Sequence, residues 1–376
     1  MLLIQKRWTT NAIYPQERDH VFFINTTAGN ASLASLLTTN RGGVASRSYV
    51  LAHGTPRGGT TTRLLQLRDQ LANEGYECAM ISLQEGIPFE LVAEFWTAMG
   101  RFIQRHLGNT ADDDVDQIHD AQTFIAFFSR EPWASRKVVL IVDQFDLLNN
   151  AADLVRDQFL GTLRAMRESE ASHGLHAFFG VGPYSILNLQ DHPSSPFNAC
   201  DAFALPMFER NHVRELFNQY SRESNVELAP GIADAIYDLT SGHPGHVCFC
   251  GKMIAEHLAT GTRKVAYDSW VSYAAEQLLP RLCASWATAG LADHQLSDKP
   301  EHIKARHYLT NNFLLQDPTP PDHLPVVAAV TEEDLWMCKF LATEGTVREV
   351  SPNQFMLASF LVRNMATWAI IRNRDC

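Results

Sequence analysis

The strongest constraint on this chain is a run of β-branched and apolar residues, Lys137–Val142 (KVVLIV), closed by Asp143. Such a run, apolar at every position, marks a strand covered on both faces. Ser48–Ala52 (SYVLA), Glu77–Leu83 and His176–Val181 (HAFFGV) are further strand candidates. Helical periodicity fills the intervals, over Thr62–Glu74 with its stop at Gly75, Phe89–Leu107 and Ala152–Glu168. Strands that alternate with helices predict βαβ units and a parallel sheet. In a sheet of that kind ligands bind at the carboxyl ends of the strands, where Asp143 stands.

Ser48–Ala52 runs straight into His53-Gly54-Thr55-Pro56-Arg57-Gly58-Gly59-Thr60-Thr61-Thr62. The stretch Gly54–Thr61 matches the phosphate-loop pattern G-x-x-x-x-G-K-[ST] at every fixed place except the lysine, where Thr60 stands. The strand before it and the helix after it are the context the pattern requires. The glycines let backbone N–H groups curl round phosphate oxygens, and the helix N-terminus adds positive potential. Gly54, Arg57, Gly58, Gly59, Thr60, Thr61 and Thr62 are therefore the candidate nucleotide-binding residues. Thr61 and Asp143 are the candidate Mg²⁺ ligands. Gln144 stands where a base would polarise water; it can position water but cannot take its proton.

Thr60 supplies no charge. A charge-assisted bond to phosphate contributes about 1.5–3 kcal/mol. Its loss weakens binding roughly tenfold to more than a hundredfold. Arg57 and Arg63 are nearby cations, and neither occupies the lysine's place. Taken alone, the loop also fits a ligand-free Gly/Thr turn, and Asp143 also fits a strand-end cap.

A third element, Thr240-Ser241-Gly242-His243-Pro244-Gly245, closes one helical pattern and opens another. His243 and Pro244 are candidates for the nucleotide's base side. The alternative is a plain helix–helix turn with Pro at the first helical position.

From Glu209 the pattern turns helical, over Glu209–Glu223, Pro230–Leu239, Pro244–Leu258 and Tyr267–Leu279. Leu296–Pro300 and Gln316–Pro325 read as linkers. A last compact pattern follows: Glu332–Ala342, Thr346–Val350, a turn at Ser351-Pro352-Asn353, Gln354–Met356 and Ser359–Ile371, as in a winged helix. The expected fold class is an α/β P-loop NTPase parallel sheet with a helical lid and a C-terminal winged-helix-like domain. The expected domains are 1–205, 206–295 and 296–376.

These elements in this order resemble AAA-like or STAND-type P-loop ATPases. Gly180-Val181-Gly182-Pro183-Tyr184-Ser185-Ile186-Leu187, Ser195-Pro196-Phe197-Asn198 and Ser241–Gly245 resemble most the ATPase-like region of Crinkler-type effector proteins. The resemblance implies Mg-ATP or Mg-ADP as cofactor. It puts the phosphates at Gly54, Gly59 and Thr61, Mg²⁺ at Asp143, and the base near His243 and Pro244. Thr60, Gln144 and Pro183 depart from the family pattern, the last where a hydroxyl residue would sense the γ-phosphate. Each departure removes a group used in hydrolysis rather than in folding. The resemblance thus implies weak or absent nucleotide binding and a pseudo-ATPase that serves as a switch or interaction scaffold. An active ATPase with an atypical loop and a DNA-associated module are the other readings. Proteins of that type carry nuclease modules or translocation headers that are not recognisable here, so a fragment, a partner subunit or a degenerate relative is expected.

Composition narrows the partners. The net charge of −11 argues against a general grip on nucleic acid, and Arg363, Arg372 and Arg374 are few for a DNA-reading helix. DNA is the less favoured partner beside a protein or a second copy of the chain. The acidic stretch Ala111–Asp120 lacks the Gly and terminal Glu of a calcium loop and reads as a solvated face. The seven cysteines are odd in number and scattered, which points to a reducing compartment, cytoplasmic or nuclear, with host-cell delivery if the chain is effector-like. Cys248 and Cys250 read as buried helical cysteines. MLLIQKRW has the wrong order for a secretion signal, and no run reaches the roughly 20 apolar residues that span a bilayer.

Overall fold

The computed structural model describes residues 6–26, 33–34, 40–41, 44–45, 48–107, 118–131, 133–169, 172–198, 202–286, 299–316 and 323–372. Residues 111–117 of the acidic stretch, 296–298 and 317–322 of the two linkers, Cys200, Arg374 and Cys376 lie outside them. The chain divides into two compact units. One comprises Asn25–Gly54 and Thr60–Pro206; the other comprises Met1–Ile24, Thr55–Gly59 and Met207–Cys376.

The first unit is built on β1 (Ser48–His53), β2 (Glu77–Ser82), β3 (Val138–Asp143), β4 (Leu175–Gly182) and β5 (Phe203–Ala204). They form one five-stranded parallel sheet in the order β2-β3-β4-β1-β5. All six residues of β3 are buried, which is what its uninterrupted apolar run requires. This is the P-loop NTPase α/β fold expected from the sequence. β1 and β3 are not neighbours, because β4 lies between them: His53 pairs with Gly182, and Asp143 with Val181. Both strands end at the same sheet edge, one strand apart. The chain returns to fill the sheet from β2 back toward β1, and β5 then adds on β1's other side, so the strand order reverses beside β1.

Helices α1 (Thr60–Asn73), α2 (Val92–Leu107), α3 (Ala121–Ser129) and α4 (Asp153–Glu168) complete this unit. Sequence reading missed α3. Its start is encoded locally: the Asp120 carboxylate accepts from the Thr123 N–H at 2.7 Å, and the Thr123 hydroxyl donates back to Asp120. The acidic residues before Asp120 hide that cap in a charged run. The core on this side is aromatic. Phe159 of α4 is fully buried and meets Phe95, Trp96, Phe124, Phe145 and Phe178 with ring centroids 5.2–6.4 Å apart.

The second unit is mainly helical: α5 (Arg210–Ser224), α6 (Ile232–Thr240), α7 (Pro244–Met253), α8 (Tyr267–Tyr273), α9 (Leu279–Trp286), α10 (Pro300–Leu309), α11 (Glu332–Thr343) and α12 (Phe360–Arg372). The helical patterns Pro244–Leu258 and Tyr267–Leu279 are each interrupted by a π-turn, at Ile254–Leu258 and Ala274–Leu278. Strands β6 (Val326–Ala328), β7 (Val347–Ser351) and β8 (Gln354–Leu357) form an antiparallel sheet in the order β6-β8-β7. Sequence reading missed α10 and β6, both of which border the Pro-rich linkers. Val21 makes a single bridge with Arg7. That bridge places Trp8 against Phe22, Phe217 and Tyr220. Leu361 and Met365 of α12 join the same core.

Phe159→Ala leaves a cavity that its ring neighbours cannot close. It is expected to cost about 3–5 kcal/mol of unfolding free energy, measured as a lower urea midpoint with the parallel-sheet circular dichroism retained before the transition.

Candidate functional site

In the sheet unit the phosphate-loop pattern starts as β1 ends. The Gly54 N–H donates to the Gly182 carbonyl at 3.0 Å, which ties the loop's first residue to the end of β4. A Cβ on Gly54 would stand 2.8 Å from the Thr60 hydroxyl and 3.2 Å from Leu205, so only glycine lets the helix start close back over the strand end. α1 begins at Thr60, two residues earlier than its apolar periodicity indicates.

The decisive contact is one residue further on. The Thr61 hydroxyl donates to Asp143 Oδ2 at 2.7 Å, joining residues 82 positions apart. The other carboxylate oxygen accepts the Gln144 N–H at 3.0 Å. Asp143 is buried, and desolvation raises its pKa against the lowering effect of these two donors. Hydroxyl and carboxylate are hard oxygen donors, the kind Mg²⁺ takes. Thr61 and Asp143 thus fit the ion as a pair.

Gln144 has left-handed backbone angles, φ 55° and ψ 39°, which favour glycine or asparagine. Its side chain is held at both ends. The amide oxygen accepts from the Ser82 hydroxyl at 3.3 Å, and the amide nitrogen donates to Gln84 at 2.9 Å. Ser82 and Gln84, at the end of β2, escaped sequence reading because nothing in their own segment marks them.

Asp146 was missed too, although its spacing from Asp143 offered a signal. One carboxylate oxygen accepts from the Ser185 hydroxyl at 3.5 Å, while Oδ1 is buried without a hydrogen-bond partner among the described residues. Burial pushes its carboxyl up to about 6, and the Asp143 charge adds to the rise. A Cβ on Gly182 would fall 2.6 Å from that oxygen, so the glycine makes room for it. Pro183 follows at the end of β4 and precedes the short helix Tyr184–Leu189.

In the helical unit the loop tip Thr55–Gly59 has its own contacts. The Gly58 N–H donates to the Thr55 carbonyl at 2.9 Å, with Pro56 and Arg57 as the central turn residues and Arg57 at φ 58°. His243 Nε2 lies 3.1 Å from the Pro56 carbonyl, and its Nδ1 accepts the His246 N–H at 3.3 Å. A carbonyl only accepts, so Nε2 carries the proton and the ring is the neutral tautomer. Burial, with the Arg57 charge as a smaller cause, agrees: it depresses the His243 pKa to about 4. Pro244 opens α7, and a Cβ on Gly59 would stand 3.6 Å from it. The turn beneath is forced, because a Cβ on Gly242 would collide with the Phe208 carbonyl at 2.0 Å. Arg57, Gly59, His243 and Pro244 thus cluster in one unit, while Gly54, Thr60, Thr61, Thr62, Asp143 and Gln144 belong to the other.

Cys250 is buried in α7, and burial pushes the Cys248 thiol up to about 12. Among the described residues no group of three or more His, Cys, Asp or Glu could hold a metal ion. No described helix is long and apolar enough to cross a membrane.

No family model matches the chain, and no curated protein matches it by sequence. Solved structures do match. A Walker-type ATPase of Pyrococcus abyssi superposes with TM-score 0.55 at 13% identity, over 95% of this chain and 99% of that one. The ORC2 protein of Aeropyrum pernix, in complexes with ADPNP and ADP, gives TM-score 0.53 at 15% identity, over 97% of each chain. The shared feature is the fold: this chain has the P-loop NTPase α/β architecture.

Asp146 gives a pH signature. Its folded pKa lies above the ordinary carboxylate value of 3.8, so the native state binds the extra proton between pH 3.8 and about 6. Stability therefore falls as pH rises through that window. Asp146→Asn removes this slope. The variant is expected to gain on the natural chain between pH 4 and pH 7, by no more than about 3 kcal/mol at 1.36 kcal/mol per unit, read from urea midpoints at the two values.

Proposed function

We propose that the chain is a degenerate nucleotide-binding module on a P-loop ATPase fold, which holds Mg-ATP or Mg-ADP weakly and acts as a switch or interaction scaffold. The observation that carries this reading is the 2.7 Å contact between Thr61 and Asp143 in a loop whose lysine place is Thr60. The metal end of the site keeps its ligands while the cation of the phosphate end has changed.

In this reading Gly54, Gly58, Gly59, Thr60, Thr61 and Thr62 present backbone N–H groups and hydroxyls to the phosphates. Thr61 and Asp143 hold Mg²⁺, which neutralises phosphate charge when bound. Arg57 lines the loop tip, and His243 and Pro244, which touch that tip, are the base-side residues. Because His243 bonds to the Pro56 carbonyl, the tip is linked to the start of α7, and a ligand that alters the tip alters that contact. This is the basis for the switch role, the role that the STAND-type and Crinkler-type resemblance implies. Of the domains 1–205, 206–295 and 296–376 we assign the first to the sheet, apart from Met1–Ile24 and Thr55–Gly59, which belong to the helical unit, and the other two to lid and winged helix, with an intracellular location and host-cell delivery only if the chain is effector-like.

Catalysis is the weak part of the site. Electrostatic stabilisation is usually the largest catalytic contribution, and Thr60 removes a cation from it. Gln144, the residue nearest a water-positioning role, already has its amide bonded to Ser82 and Gln84. The active-ATPase reading therefore ranks second. The DNA reading ranks third, because α12 turns Leu361 and Met365 into the core, which leaves less of the helix for a groove.

Two measurements test this. Phosphate release by the natural chain is expected to match that of Asp143→Ala; turnover that disappears in the variant makes the chain an active ATPase. Thr60→Lys is expected to tighten Mg-ATP binding roughly tenfold or more, since a charge-assisted bond is restored. A folded variant with no gain means the loop no longer fits phosphate.

A further inference from the structure

The first turn of α1 contains a buried charge that no carboxylate among the described residues pairs with. Arg63 is only 5% exposed. Its Nη2 donates to the Pro206 carbonyl at 2.8 Å, but Nη1 is buried and has no hydrogen-bond partner among the described residues. Burial lowers its pKa. A buried unpaired guanidinium is costly, and an unmet donor on it adds to the cost. Buried charges persist where an opposite charge meets them.

The position of this charge says what that partner is. Arg63 lies three residues beyond Thr60, about one turn along the helix that the phosphate loop opens. The carbonyl it holds belongs to Pro206, next to Leu205, and Leu205 packs against Gly54, the loop's first glycine. The guanidinium is therefore anchored to the segment whose Leu205 packs against the loop's first glycine. Thr60 is too short and uncharged to serve that space.

We propose that Arg63 is the phosphate-binding cation of this site, its free Nη1 donating to a phosphate oxygen of a nucleoside di- or triphosphate in place of the absent lysine. This rests on the nucleotide-binding reading above and names the group that makes it work without Lys. Arg63 is anchored through Pro206, at the Gly54 end of the loop rather than at the Thr61–Asp143 pair. It therefore supplies affinity to diphosphate and triphosphate alike and gives no added stabilisation at a transferring terminal phosphate. The reading thus joins nucleotide binding to slow or absent turnover through one residue.

The test is a calorimetric titration of the full chain with Mg-ADP and Mg-ATP, for the natural protein, Arg63→Met, Arg63→Gln and Arg63→Lys. The two neutral variants guard against a folding failure in either, and thermal melts without nucleotide accompany them. The expected result is at least tenfold weaker binding of both nucleotides in the neutral variants, partial recovery in Arg63→Lys, and a ligand-free melting temperature for Arg63→Met equal to or above that of the natural chain, because an unpaired buried charge has gone. Folded neutral variants that bind both nucleotides as well as the natural chain would overturn the role of Arg63 and leave the nucleotide-binding reading standing. A natural chain that binds neither nucleotide would overturn both.

Discussion

One hydrogen bond, from the Thr61 hydroxyl to Asp143, joins the start of α1 to the end of β3. Around it the rest of the sheet unit is organised. β3 must be buried along its whole length to deliver Asp143 to the sheet edge, and its neighbours β2 and β4 cover its hydrogen-bonding sides. β1 must end one strand away so that the loop can close over Gly54 and start the helix with Thr60 and Thr61. Asp143 then sits buried with both oxygens engaged, Oδ2 by Thr61 and Oδ1 by the Gln144 N–H.

The same geometry separates what a P-loop fold needs to assemble from what it needs to hydrolyse. The glycines and the parallel sheet serve assembly, and in the proposed reading the Thr61–Asp143 pair serves metal binding. In the proposed reading Thr60, Gln144 and Pro183 stand where charge, water and γ-phosphate would be handled; Thr60 brings no charge, Gln144 takes no proton and Pro183 has no hydroxyl. A buried Arg63 with an unmet donor fits a site that still receives an anion, which a relic turn without a ligand would not explain.

Much of this was legible in the sequence. The β3 run, the strand–loop–helix order and the Gly–Pro turn are local patterns, and each recurs in the structure with boundaries shifted by a few residues. The strand order was not legible, because which strands pair depends on long-range packing; hence β4 falls between β1 and β3. α3 was hidden by the acidic residues before its Asp120 cap, and β6 by the Pro-rich stretch beside it. Asp146, Ser82, Gln84 and the balance of charge at Arg63 are relations across the fold. The hydrogen bonds of Ser82 and Gln84 to Gln144 and the burial of Asp146 and Arg63 reveal them, and apart from the spacing of Asp146 from Asp143 none of these is a property of a local sequence window.

The most direct test of the central claim is a crystal structure of the chain grown with Mn²⁺ and ADP, read by the anomalous signal of the manganese. If Thr61 and Asp143 form a working metal seat, the map shows a manganese peak within ligand reach of that pair, with the diphosphate against the Gly54–Thr62 loop. Nucleotide bound in the loop with no manganese beside Thr61 and Asp143, or an empty loop at saturating ADP with their hydrogen bond intact, would contradict it.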